Sequence, residues 1–151
     1  MTKRVIVGID GSPASHGAAD LAAREAERRG AVLEVMYAFD MPVTAVDPMG
    51  TAYVALDRDE IVASARTLLD AEVRRLRDMV PGVAIKAALY EGAAKAMLVD
   101  ASKDADLVVV GNRQANELSG FLLGSVSRHV LHRAHCPVVV VPSAPALASA
   151  A

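Results

Sequence analysis

The chain has 151 residues, 53% of them hydrophobic and 23% charged, with a formal net charge of -2. That length fits one domain with a continuous core, and the small negative charge excludes a general phosphate-backbone binder. Aromatic residues make up 3% and tryptophan is absent, which argues against base-stacking platforms, so nucleic acid is not an expected partner.

The first apolar run, Arg4 to Ile9, is rich in β-branched residues and almost continuously hydrophobic, as in a strand covered on both faces. It is read as β1, ending at Asp10. Asp10-Gly11-Ser12-Pro13 supplies a turn, a helix cap at Ser12 and a proline where its missing N–H costs nothing. A helix from about Ala14 to Arg29 follows, with His16 one turn in and read as solvated. Gly30 stops that helix and Val32 to Ala38 is read as β2.

Residues 39 to 53 carry prolines and a glycine without a clear period and are read as a long loop. Ile61, Ala65, Leu68, Leu69, Val73, Leu76 and Val80 then fall at helical spacing and predict a long amphipathic helix closed by Pro81-Gly82. Val83 to Tyr90 is read as β3. A short helix opens near Gly92, with Ala94, Met97, Leu98 and Ala101 on one face. Ala105 to Gly111 repeats the logic of the first strand and is read as β4. A helix from Ser125 to Ala134 and a strand from Cys136 to Pro142 complete the pattern, with residues 143–151 expected to be a flexible tail.

Alternating strands and helices imply βαβ crossovers and an α/β, doubly wound five-stranded parallel sheet. The order 3-2-1-4-5 is preferred because β1 and β4 are the strands ending in glycine-bearing turns. The switch point, where ligands of such sheets sit, then lies between Asp10 and Gly111. No stretch approaches the ~20 apolar residues of a membrane span, and the N-terminus has no run suited to a signal peptide. The expectation is therefore a cytoplasmic protein with no membrane partner. Cys136 is the single cysteine, so no internal disulfide forms.

The segment from Gly111 to Ser127 carries the chemistry. Gly124-Ser125 stands at the start of the fourth helix, where free N–H groups and the helix dipole favour an anion such as phosphate. The hydroxyls of Ser125 and Ser127 are further candidate donors. No lysine precedes Ser125 as in a Walker A loop, and β1 is not followed by a GxGxxG turn. From local chemistry alone, a strand-ending Gly111 and a helix-capping Gly124-Ser125 are equally good readings.

Val7-Gly8-Ile9-Asp10-Gly11-Ser12, Ala105 to Arg113, Leu122 to Ser127 and His135 to Val141, in that order, resemble the universal stress protein family from Arg4 to Pro142. The resemblance implies an adenine nucleotide alpha hydrolase-like fold, with a universal stress protein domain over 1–142. It also implies an ATP-binding stress-response module that acts as a homodimer and is not a dedicated catalyst. In ATP-binding members the motif is Gly, two residues, Gly, nine residues, then Gly-Ser/Thr. Gly111, Gly124 and Ser125 match, whereas Gln114 stands at the second glycine and Glu117 adds a carboxylate to the same loop.

By position in the family, Asp10 would bind the adenosine moiety and Ala38 would line the adenine pocket. Arg113 would sit beside the phosphates, and Gly124, Ser125, Val126 and Ser127 would contact them. Gly8, Ile9, Val110 and Gly111 complete the expected nucleotide site. ATP, with or without Mg, is the leading ligand and AMP or cAMP the alternative. The other readings are an interaction protein that has lost nucleotide binding through Gln114, or a slow ATP hydrolase. Val138 to Val141, at the sheet edge, would pair with a second copy, as in the family, beside protein partners the sequence does not name. His129, His132 and His135 spread around the last helix rather than converging, so no metal site is assigned.

Overall fold

The structure is a computed structural model, and it describes residues 2–41, 48–51, 57–112 and 123–143. β1 (Arg4–Ile9), β2 (Val32–Phe39), β3 (Ile85–Glu91), β4 (Leu107–Asn112) and β5 (Val138–Pro142) form one sheet in the order β3-β2-β1-β4-β5. Every pairing is parallel. The helices are α1 (Pro13–Arg29), α2 (Arg58–Met79), α3 (Ala94–Ala101) and α4 (Ser125–Arg133), with a 3-10 turn at Ser102–Asp104 after α3. The expected topology and sheet order are present.

The strands differ as their places in the sheet require. In β4 the run Leu107 to Val110 is fully buried, as are Val5, Ile6 and Val7 in β1, because helices cover both faces of the sheet centre. At the edges, β3 exposes Lys86 and Ala87 while β5 is half-buried along its valines. β3 starts at Ile85 rather than Val83, because the Val83 N–H is taken by the Val80 carbonyl in the turn that ends α2. β5 likewise starts at Val138, two residues after Cys136.

α1 and α2 pack on one face of the sheet. α1 presents Ala14, Ser15, Ala18, Ala19, Ala22, Ala23 and Ala26, side chains short enough to let its backbone lie close to the strands. Leu69, Val73 and Leu76 of α2 join the alanines from Ala18 to Ala26 in one cluster with Val5, Val7, Leu33 and Val109. A smaller cluster of Ile6, Met36, Met97, Leu98, Val108, Val110 and Val130 lies between the other face and α3 and α4.

One polar residue interrupts the apolar side of α2. Glu72 is 5% exposed and receives two hydrogen bonds from Arg75, at 2.6 and 3.1 Å. It also lies 3.0 Å from His16 Nδ1, and Arg75 reaches Asp20 at 2.7 Å, so the cluster clasps α1 to α2. Reading His16 as merely solvated misses this pairing, which no local pattern in α1 reveals. Burial would raise the Glu72 pKa, but hydrogen bonds and charge from Arg75 and His16 outweigh it and hold the carboxyl below its ordinary range. The same carboxylates raise the pKa of Arg75.

Most of the expected loop 39–53 lies outside the described residues, as do Arg113, Gln114, Glu117 and the tail after Ser143.

Candidate functional site

The β1–β4 pairing runs from Val5 with Leu107 to Val7 with Val109. Gly8 to Asp10 and Val110 to Asn112 stand beyond it, at the carboxyl ends of two neighbouring strands from which the chain departs to opposite faces. This is the switch point of the sheet. After β1 the chain turns through Gly11, whose φ of +81° suits glycine. Asp10 Oδ1 accepts the Ser12 N–H at 2.8 Å, and the Asp10 N–H donates to Ser15 Oγ at 3.3 Å. Ser12 Oγ accepts the Ser15 N–H at 3.2 Å and caps α1.

Gly111 is held for a packing reason. A Cβ there would lie 2.6 Å from the Ala14 carbonyl oxygen and 3.0 Å from the Ser15 nitrogen. The first turn of α1 therefore crosses β4 in direct backbone approach, which only glycine permits. Next to it, Asn112 is fully buried, and its Oδ1 accepts the Gly124 N–H at 3.1 Å. β4 runs one residue further than the sequence suggests and ends on this asparagine.

α4 starts without a side-chain cap. The Arg128 N–H bonds to the Gly124 carbonyl at 3.0 Å, so the N–H groups of Ser125, Val126 and Ser127 precede the first intrahelical donor. Ser127 is buried, and its hydroxyl donates to the same carbonyl at 3.2 Å, leaving Ser125 as the exposed hydroxyl of the pair. α3 also starts without a side-chain cap, at Ala93.

These elements enclose a cavity of about 540 Å³, within the ordinary range for a small-molecule site. Gly8, Ile9, Asp10, Ala38, Val110, Gly111, Gly124, Ser125, Val126 and Ser127 all line it. Arg113 lies outside the described residues. The cavity also takes in Ser12 and Ser15 of the α1 cap, Asp40 after β2, Gly92 and Ala94 at the start of α3, and Met97 and Leu98 within it. Sequence reading missed these because Met97 and Leu98 look like any apolar helix face, and Asp40 like a loop residue.

Asp10 and Asp40 are the ionisable side chains of this described lining, and both carry negative charge when ionised. The polar attraction for an anion comes instead from two helix N-termini without side-chain caps, α3 and α4. The lining divides between apolar side chains, Ala38, Met97, Leu98 and Val110, and the uncapped backbone at the start of α4. That division suits a ligand with a flat, weakly polar part and an anionic part. The described residues include no group of three or more His, Cys, Asp or Glu placed to hold a metal ion. Cys136 is half-buried, and burial pushes its thiol pKa up, away from nucleophilic chemistry.

The model of the universal stress protein family matches residues 1–142. The chain belongs to that family. A universal stress protein of Mycobacterium tuberculosis is 38% identical over 136 residues, which is 90% of this chain and 44% of that protein. The chain spans about half the length of the curated relatives it matches. A universal stress protein solved in complex with cAMP is 28% identical, with a TM-score of 0.70 and coverage of 95% of this chain and 98% of that one. A family member from Burkholderia pseudomallei has the same identity and TM-score, over 93% and 96% of the two chains. Within the universal stress protein fold, the cavity described above lies at the strand ends where the expected site residues converge.

Proposed function

We propose that the chain is a binding module for an adenine nucleotide, held in the cavity at the ends of β1 and β4. The observation that carries this reading is the start of α4, where Ser125, Val126 and Ser127, with no side-chain cap before them, line the cavity together with Asp10, Ala38 and Gly124. Asp10 and Ala38 would hold the nucleoside. Gly124, Ser125, Val126 and Ser127 would hold phosphate, with Arg113 beside it, and Gly8, Ile9, Val110 and Gly111 would form the floor. ATP, alone or with Mg, is the ligand implied by the motif residues Gly111, Gly124 and Ser125.

A second reading, AMP or cAMP, draws on the described lining, which offers Asp10 and Asp40 but no lysine or arginine to balance a triphosphate. The complex of a 28% identical relative with cAMP supports it further. The output would be the bound state rather than turnover. β5 ends the sheet with half-buried valines, and a second copy pairing along Val138 to Val141 would cover that edge. The module would act as a cytoplasmic stress-response homodimer, with the domain ending near Pro142.

Calorimetric titration of nucleotide-free protein with ATP, AMP and cAMP, with and without magnesium, tests the reading. A Gly124→Val variant is expected to lose binding by crowding the start of α4, and it keeps the backbone unstrained because Gly124 has φ −62° and ψ 163°. Absence of binding to all three ligands refutes the proposal.

A further inference from the structure

The cavity does not include Asn112, yet this residue is fully buried one position after Gly111 and is joined to two other segments. Its side-chain oxygen accepts the Gly124 N–H at 3.1 Å, and its carbonyl accepts the Ser143 hydroxyl at 2.9 Å. Its strand position pairs with Pro142. Asn112 thus ties together the end of β4, the residue that heads α4 and the end of β5.

A buried amide side chain is costly to place unless its hydrogen bonds are made, and a buried backbone N–H is costly to leave unpaired. A leucine shares the branch at Cγ but could not accept from Gly124. The hydrogen bond joins residues twelve positions apart and fixes where α4 begins relative to β4. The free N–H groups of Ser125 to Ser127 follow immediately, so their aim depends on where Gly124 is held.

We infer that Asn112 is a positioning residue for phosphate: by holding Gly124 it aims the open N-terminus of α4 at the ligand without touching it. The inference rests on the nucleotide reading of the cavity. It predicts that Asn112 governs the part of the affinity contributed by phosphate and leaves the nucleoside part alone.

The test compares adenosine with AMP on wild type, Asn112→Ala and Asn112→Ser, with thermal melting to establish that each variant is folded. Asn112→Ala should weaken AMP binding about tenfold, the scale of one buried hydrogen bond, with adenosine affinity unchanged. Asn112→Ser keeps an oxygen acceptor, is the safer variant for folding, and should fall between wild type and alanine for AMP. Equal losses for AMP and adenosine in the folded variants would assign Asn112 a general structural role and overturn the inference. So would AMP affinity unchanged in both variants while the wild type binds. A wild type that binds no nucleotide overturns the nucleotide reading and this inference with it.

Discussion

The two faces of the sheet are built differently. On the α1–α2 face, alanines of α1 and leucines of α2 close a large core, and a buried Glu72 with His16, Asp20 and Arg75 clasps the two helices. On the α3–α4 face the core is smaller, both helices are short, and their starts carry no side-chain caps and border the cavity. Stability is concentrated where the helices are long and fully packed, and open backbone groups where a ligand can use them. The division predicts that damage to one face is read in unfolding and damage to the other in binding.

The largest loss of stability is expected from Gly111→Ala, where α1 crosses β4 at the border of the cavity. Its new methyl would meet the Ala14 backbone at 2.6 Å, and backbone cannot swing aside as a side chain does. A loss of about 4 kcal/mol in urea-unfolding free energy is expected, at the upper end for overpacking. Leu69→Ala, at a fully buried site on α2, should cost about 3 kcal/mol and leave nucleotide affinity unchanged. Met97→Ala, on the cavity side of α3, should change affinity as well as stability. If Leu69→Ala weakened binding as much as Met97→Ala, the two faces would not be separate.

Much of this division was legible in the sequence. Two unbroken β-branched runs ending at Asp10 and Gly111 named the central strands, and the order of the sheet followed from them. The β1 turn and the start of α4 were legible because glycine, serine and proline there have few other local uses. The α3 wall of the cavity was not, because Met97 and Leu98 serve the core and the cavity together, and helical periodicity reports only burial. Asn112 was equally hidden, since its partner Gly124 is distant in sequence. Glu72 was passed over because a glutamate among charged helix residues looks solvated until α1 brings His16 against it.

Glu72 gives the packed face a pH signature. Its carboxyl pKa is lower in the folded chain than its ordinary value of 4.5, so the unfolded chain binds the proton more readily. The resulting stability is present above pH 4.5 and is lost as pH falls through the lower folded value. Glu72→Gln should cost about 2 kcal/mol at pH 7, where the pair of Glu72 with Arg75 is intact. The gap from wild type should narrow at an acidic pH below the lowered folded value, where Glu72 has itself taken up a proton. Urea midpoints at both pH values check this, and a gap that does not change with pH would remove the charge from the explanation.

The smallest effects set two helix starts against each other. Ser12 heads α1 and its hydroxyl accepts the Ser15 N–H, whereas Gly124 heads α4 with no side-chain oxygen to do the same, and Ser125 stands exposed just inside. Loss of a serine cap costs about 1 kcal/mol, so Ser12→Ala should lower unfolding free energy by that amount. Ser125→Ala removes no cap and should change stability by less than about 0.5 kcal/mol, as for an ordinary surface substitution. For AMP the ranking should reverse, because at the α1 start Pro13 has no N–H and the Ser15 N–H is taken by the Ser12 cap, while no side chain caps the α4 start. Parallel melts and AMP titrations of the two variants measure both rankings. If Ser12→Ala weakened AMP binding more than Ser125→Ala, the anion would belong at the start of α1 and the contrast between the helix starts would have to be redrawn.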